Sequence, residues 1–272
     1  MTVVNYKLTS CCDRFTDELT PCQDWYKAED QDGIFDVEAS FAPPAVLAVF
    51  FKFLALCYVT FVFVYTLWNA DNRAIYFGML TYWALTFSVV YLWMSTINSI
   101  VGVQQPNRKD NVSFRVGFQW FMFNVAVHTS LAVVILYWLV VFEPDETAIT
   151  FSSFSTHAGT CLTLLLEGFV VNRIPIRWFF WWGTGLLTGI AYLVWTIVHA
   201  KLDIGNPDKE DSDLLYDSID WDDDLSGTII LFAVSILILG PIIQSMLFVT
   251  SIYGSPFYCG SNKRRYLKED EN

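Results

Sequence analysis

The chain has 272 residues, of which 54% are hydrophobic, 17% aromatic and only 16% charged, and its formal net charge is −12. Soluble domains carry about 25% charged side chains, so this composition excludes an ordinary soluble domain as the main body. The acidic balance, with no basic aromatic stripe, argues against a nucleic-acid partner.

In chain order, residues 1–43 carry nine acidic and three basic side chains. They lack the basic n-region and short apolar core of a cleavable signal, so they read as an acidic cytoplasmic tail, and the first span serves as its own insertion signal. Six mainly apolar runs come next: Ala45–Leu67, Ala74–Val101, Val116–Phe142, Ile149–Val171, Trp178–His199 and Gly227–Tyr253. A helix needs about 20 mainly apolar residues to cross a bilayer, whereas a β-barrel shows short alternating segments. The expected fold is therefore all-α, a polytopic six-helix transmembrane bundle over 44–254 with an acidic non-cytoplasmic loop at 201–225. A C-terminal tail occupies 255–272. The chain belongs in the endoplasmic reticulum or plasma membrane, with membrane lipids and membrane proteins as its partners.

Basic residues set the orientation. Twelve lie in the tail, the second and fourth loops and the C-terminus, against three in the other loops, so both termini are expected in the cytoplasm. Lys52, inside the first run, is expected to snorkel to that interface. The sequon Asn111-Val112-Ser113 then lies on the cytoplasmic side and is expected to be unused. Cys259, before "NKRR", is either an unmodified interfacial cysteine or a palmitoylation position. The six cysteines (Cys11, Cys12, Cys22, Cys57, Cys161, Cys259) show neither metal-ligand spacing nor a disulfide framework. No metal or cofactor is expected.

Several polar side chains interrupt the apolar runs. In "FSTHAGTCLTLLLEGFVVNRIP", starting at Phe154, Thr156, Thr160, Thr163 and Glu167 fall on one helical stripe. Thr81, Ser88, Ser95 and Ser99 form another. Such stripes face other helices and bind them together. Glu167, near the cytoplasmic end, is expected to pair with Arg173 or Arg177. His199 and Trp221 read as interfacial.

Ionisable groups inside spans mark function by default. At ~1.5 Å per residue, Thr81, His128 and His157 all come out ~10–12 Å below the outer surface. A threonine hydroxyl beside a neutral histidine is an activated nucleophile suited to attack on an ester carbonyl. Thr81 with a histidine at its level, His157 or His128, would make such a pair, and Asp220 of "SIDW" is the group that would hold the imidazole.

Four segments, "YFGMLTYWALTFSVVY", "VAVHTSLAVVILYWLVVF", "THAGTCLTLLLEGFVVNRIPIRW" and "YDSIDW", occur in that order. Together they resemble the rolling stone proteins and their androgen-induced-gene-like (FAR-17a) relatives, over spans two to six. The resemblance implies a multi-helix membrane bundle. It also implies, for the hydrolytic branch, cleavage of fatty acid esters of hydroxy fatty acids by an intramembrane threonine and histidine, here Thr81 and His157. "HAGT" stands where that family has His-Gly-x-Asn, so Thr160 is near the family's asparagine. Two readings result: an intramembrane lipid-ester hydrolase, or a non-catalytic rolling-stone-like protein of adhesion, fusion or a membrane complex. Helices unbroken by Gly or Pro argue against a transporter.

Overall fold

The computed structural model describes residues 45–104, 114–142, 149–172, 174, 176, 178, 181–207 and 214–253. The expectations for the acidic tail, the sequon, Arg173, Arg177 and Cys259 fall outside them. Six helices are long and apolar enough to cross a membrane, and the described residues contain no strand. They are α1 (Ala45–Asn69), α2 (Leu80–Gln104), α3 (Phe114–Leu136, prolonged by a π turn at Tyr137–Val141), α4 (Phe151–Val171), α5 (Trp182–Lys201) and α6 (Leu225–Val234, a π turn at Ser235–Leu239, then Gly240–Tyr253).

Apolar side chains cover the outside and polar ones lie within. Phe50, Trp68, Leu139, Leu187 and Leu237 are exposed, while Ser88, Ser95, Asn124 and Gln244 are fully enclosed. This is the distribution lipid imposes, because backbone groups bond within each helix and polar side chains find partners only between helices. Helix α3 is the centre, packing against α2, α4, α5 and α6, while α1 lies on α2. Tyr91, Leu92, Phe123, Val127, Leu164 and Ile243 form the core around it.

Helices α2 and α3 run antiparallel. Ser88 Oγ lies 3.5 Å from Ser130 Oγ, and Asn98 Nδ2 donates to Gln119 Oε1 at 2.5 Å. This register sets Thr81 opposite Tyr137 and His128 opposite Val90. The second span starts later than its hydropathy suggests: Arg73–Gly78 is a 3₁₀ turn with Asn72 as its cap, and α2 begins at Leu80. Thr81 is therefore in the first turn of its helix.

Five π turns interrupt the helices among the described residues. Phe142 N–H donates to Tyr137 O and Asn172 N–H to Glu167 O, each at 2.8 Å across five residues. An extra residue per turn rotates the rest of the helix, so the Thr156–Glu167 stripe does not stay in line. Thr160 and Glu167 are buried, Thr156 and Thr163 only partly. All three threonines donate to carbonyls of their own helix, at 2.7, 3.0 and 2.8 Å. The threonines of the α4 stripe thus back-bond to their own helix, and only Glu167 of that stripe joins other helices. The α2 stripe is buried throughout.

Lys52 does not snorkel. It is 4% exposed, donates to Ser99 Oγ and Asn172 Oδ1, and its Nζ lies 3.9 Å from Glu167 Oε1. Glu167 also accepts from Tyr91 OH, from Ser95 Oγ at 2.6 Å and from Asn172 Nδ2 at 2.8 Å. Among the described residues its cation is Lys52, delivered from α1. The cluster ties α1, α2 and α4 together.

Candidate functional site

The first N–H groups of a helix lack intrahelical partners, and α2 meets that need with tyrosines. Tyr192 of α5 accepts from Leu80 N–H at 3.1 Å and donates to Gly78 O at 3.3 Å; Trp195 Nε1–H also donates to Gly78 O, at 3.0 Å. Tyr216, from the acidic loop, hydrogen-bonds to both the side chain and the backbone of Thr81 and to Tyr192. Burial pushes the Tyr216 phenol above its ordinary value.

The loop that carries Tyr216 is anchored rather than free. Leu215 is buried against Gly78, where a Cβ would stand 2.9 Å from Leu215 Cδ2. Asn206 Nδ2 donates to Leu214 O at 2.6 Å. His199 is not interfacial but 2% exposed, with Nε2 2.7 Å from Gly205 O. Trp221 stacks on Phe232 with centroids 5.9 Å apart.

Beneath this cap lies a cavity of about 120 Å³ between α2, α3, α5 and α6, roofed by Tyr216, Ser218 and Ile219. A single water needs at least about 10–15 Å³ by this measure, so the space holds several waters or a short run of methylenes. Its middle is aliphatic, with Val133, Leu136, Leu231 and Ile236 among the lining. Thr81, Tyr137, Tyr192 and Tyr216 line it at the loop end, and His128 lines it too. By the α2–α3 register His128 lies roughly nine residues, or ~13 Å, deeper than Thr81. The three groups placed at one depth by helix rise are thus split: the late start of α2 raises Thr81, while His128 stays near the middle of α3.

At the inner end, His128 is 5% exposed. Its Nδ1 is 3.3 Å from Gln244 Oε1 on α6, and its ring lies 5.6 Å from that of Trp181. Gly185 leaves the other nitrogen room, since a Cβ there would come within 2.8 Å of His128 Nε2.

His157 sits one side chain back from the cavity. Its ring stacks flat on Tyr137, centroids 3.5 Å apart and planes 7° apart, and Tyr137 is a lining residue. Its Nδ1 is buried without a hydrogen-bond partner. His157 therefore shares the level of Thr81, with Tyr137 lying against it. Among the described residues no hydrogen bond joins Thr81 to either imidazole.

Asp220 is not among the cavity-lining residues. Its carboxylate accepts from the N–H groups of Asp223 and Asp222, at 2.8 and 3.0 Å, and these bonds hold it below the ordinary carboxylate range. Its backbone N–H donates to Thr228 Oγ1 at 2.9 Å. It shapes the turn into α6.

Tyr192, Tyr216 and Gln244 escaped the sequence reading, because a tyrosine or glutamine in an apolar run gives no signal until its partner is known. The π turns offer one further marker. Tyr137, Gly185 and Ser235 all lie on such turns and all line the cavity, and π bulges frequently occur at functional sites. Among the described residues no group of three His, Cys, Asp or Glu side chains is placed to hold a metal ion.

Fold and site together define a class: among the described residues, a bundle with six membrane-length apolar helices and a partly open cavity between four of them. No family model, curated protein or solved structure matches the chain.

Proposed function

We propose that this protein binds a single-chain amphiphile of the lipid-ester class in the cavity between α2, α3, α5 and α6, with the polar end beneath Tyr216. The observation that carries this reading is the lining: an aliphatic middle, a hydroxyl-rich loop end made by Thr81, Tyr192 and Tyr216, and an anchored loop as roof. Pockets of this kind are mostly apolar, with a few polar groups that fix ligand orientation. The resemblance to rolling stone and FAR-17a-like proteins supports the choice of lipid ester.

A second reading, hydrolysis of that ester, is favoured by the presence of Thr81 in the cavity lining. Attack by Thr81 on the ester carbonyl would give an acyl-threonine and release the alcohol, and water would then free the acid. The proton of Thr81 would pass first to a base. His157 serves this role only once the Tyr137 ring no longer intervenes.

A fluorophosphonate probe, applied to the full chain in nanodiscs, separates the two. Hydrolysis predicts labelling that disappears in Thr81→Ala and in His157→Ala. Equal labelling of all three proteins removes Thr81 as nucleophile. Binding without hydrolysis predicts no labelling, together with retention of a radiolabelled fatty ester that competing ester displaces.

A further inference from the structure

Among the described residues His128 is the one imidazole that lines the cavity, and neither reading above uses it. From its geometry we infer that the inner end of the cavity is a subsite for a hydroxyl group of the bound amphiphile, with His128 as acceptor and Gln244 as its positioning residue. The proposal rests on the cavity's taking an amphiphile and adds what that ligand carries at its far end.

The carbonyl oxygen Gln244 Oε1 faces His128 Nδ1 at 3.3 Å. A carbonyl oxygen only accepts, so Nδ1 bears the proton and Nε2 keeps its lone pair. That second nitrogen lies against Gly185, where a Cβ would come within 2.8 Å of it, and both residues line the cavity. A lone pair in an apolar pocket is satisfied by a donor and left costly by a methyl group. The aliphatic side chains between the two polar ends then select a ligand with oxygen functions separated by ~13 Å of hydrocarbon. Trp181, on the His128 ring, holds the imidazole from the side.

The test uses the full-length protein in lipid nanodiscs and the equilibrium binding of decane-1,10-diol, 1-decanol and 1,10-dimethoxydecane. The diol has a donor at both ends, the alcohol at one and the ether at neither. The diol is expected to bind about fivefold to tenfold tighter than the alcohol, the range one net hydrogen bond supplies, and the ether weakest. In His128→Leu the diol should lose that advantage, so that the ratio of diol to 1-decanol affinity falls to about one. Gln244→Leu should shrink the advantage, and Gln244→Glu, which keeps an acceptor against Nδ1, should restore it. A purely structural role for Gln244 would weaken both ligands alike, leaving their ratio unchanged. Equal binding of diol and alcohol to the unaltered protein overturns the hydroxyl subsite but leaves the amphiphile reading standing. Preference for the ether overturns the assigned tautomer and the proposal with it. Failure of all three to bind overturns both readings.

Discussion

Glu167 and Lys52 show how one side chain can bear on the whole bundle. Each is buried, and each is the other's only opposite charge among the described residues. Removing one partner strands a desolvated charge, whereas removing both is often close to neutral. Glu167→Leu is therefore expected to destabilise the protein by about 3–5 kcal/mol, read as thermal unfolding in detergent, and Lys52→Met by a similar amount. The Lys52→Met/Glu167→Leu pair should cost much less than the two singles combined; full additivity would mean that the ions do not interact. Sequence reading found both residues but did not pair them with each other, because helix spacing links positions along one helix and says nothing of which distant helix comes alongside. The same limit explains why Thr81 and His128 were legible as polar intruders while Tyr216 and Gln244, their partners, were not.

At the scale of elements, hydropathy located all six helices and most of their ends to within two residues, but misjudged where α2 begins. The 3₁₀ turn before α2 is as apolar as the helix it precedes, so Ala74–Gly78 reads as span, and only the cap at Asn72 and the restart at Leu80 separate them. The π turns are equally silent, since an extra residue in an apolar helix leaves composition untouched while rotating the polar stripe. Close packing gives an element-level test. A Cβ at Gly168 would stand 2.1 Å from Phe123 Cζ, a fully buried ring, so Gly168→Ala should cost about 1–3 kcal/mol through overpacking between α4 and α3. Gly183→Ala, which meets nothing within 4 Å, is the control and should lower the melting temperature far less. The turn into α6 gives a pH test. The Asp220 carboxyl is held below its ordinary value by the N–H groups of Asp223 and Asp222, so its contribution is present above the ordinary carboxylate range and lost as pH falls through the lowered value. Amide exchange at Asp222 and Asp223 should speed up across that acid window in the native protein. In Asp220→Ala it should be fast throughout, apart from the intrinsic pH dependence.

For the whole molecule, the arrangement is a bundle with its polar groups inside, roofed on one side by a tyrosine-bearing loop. Six helices are long and apolar enough to cross a membrane; six crossings would return the chain to the side from which it started, and the distribution of basic residues predicts that this side is cytoplasmic. Epitopes at the two termini of the protein in intact cells should therefore both be inaccessible until the membrane is permeabilised; one accessible terminus would break the six-span topology, and two would invert it. The composition made the bundle legible, because lipid leaves few alternatives to helices of this length. The cavity was not, because a void belongs to the packing of four helices and to none of their sequences. Its occupation by an amphiphile is tested most directly by photolabelling the full-length protein in nanodiscs with a diazirine-bearing fatty ester and mapping the modified residues. Occupation predicts adducts concentrated at Val133, Leu136, Leu231 and Ile236, suppressed by unlabelled ester. Adducts confined to the lipid-facing residues Leu139, Leu237 and Ile238, and unchanged by competitor, would contradict it.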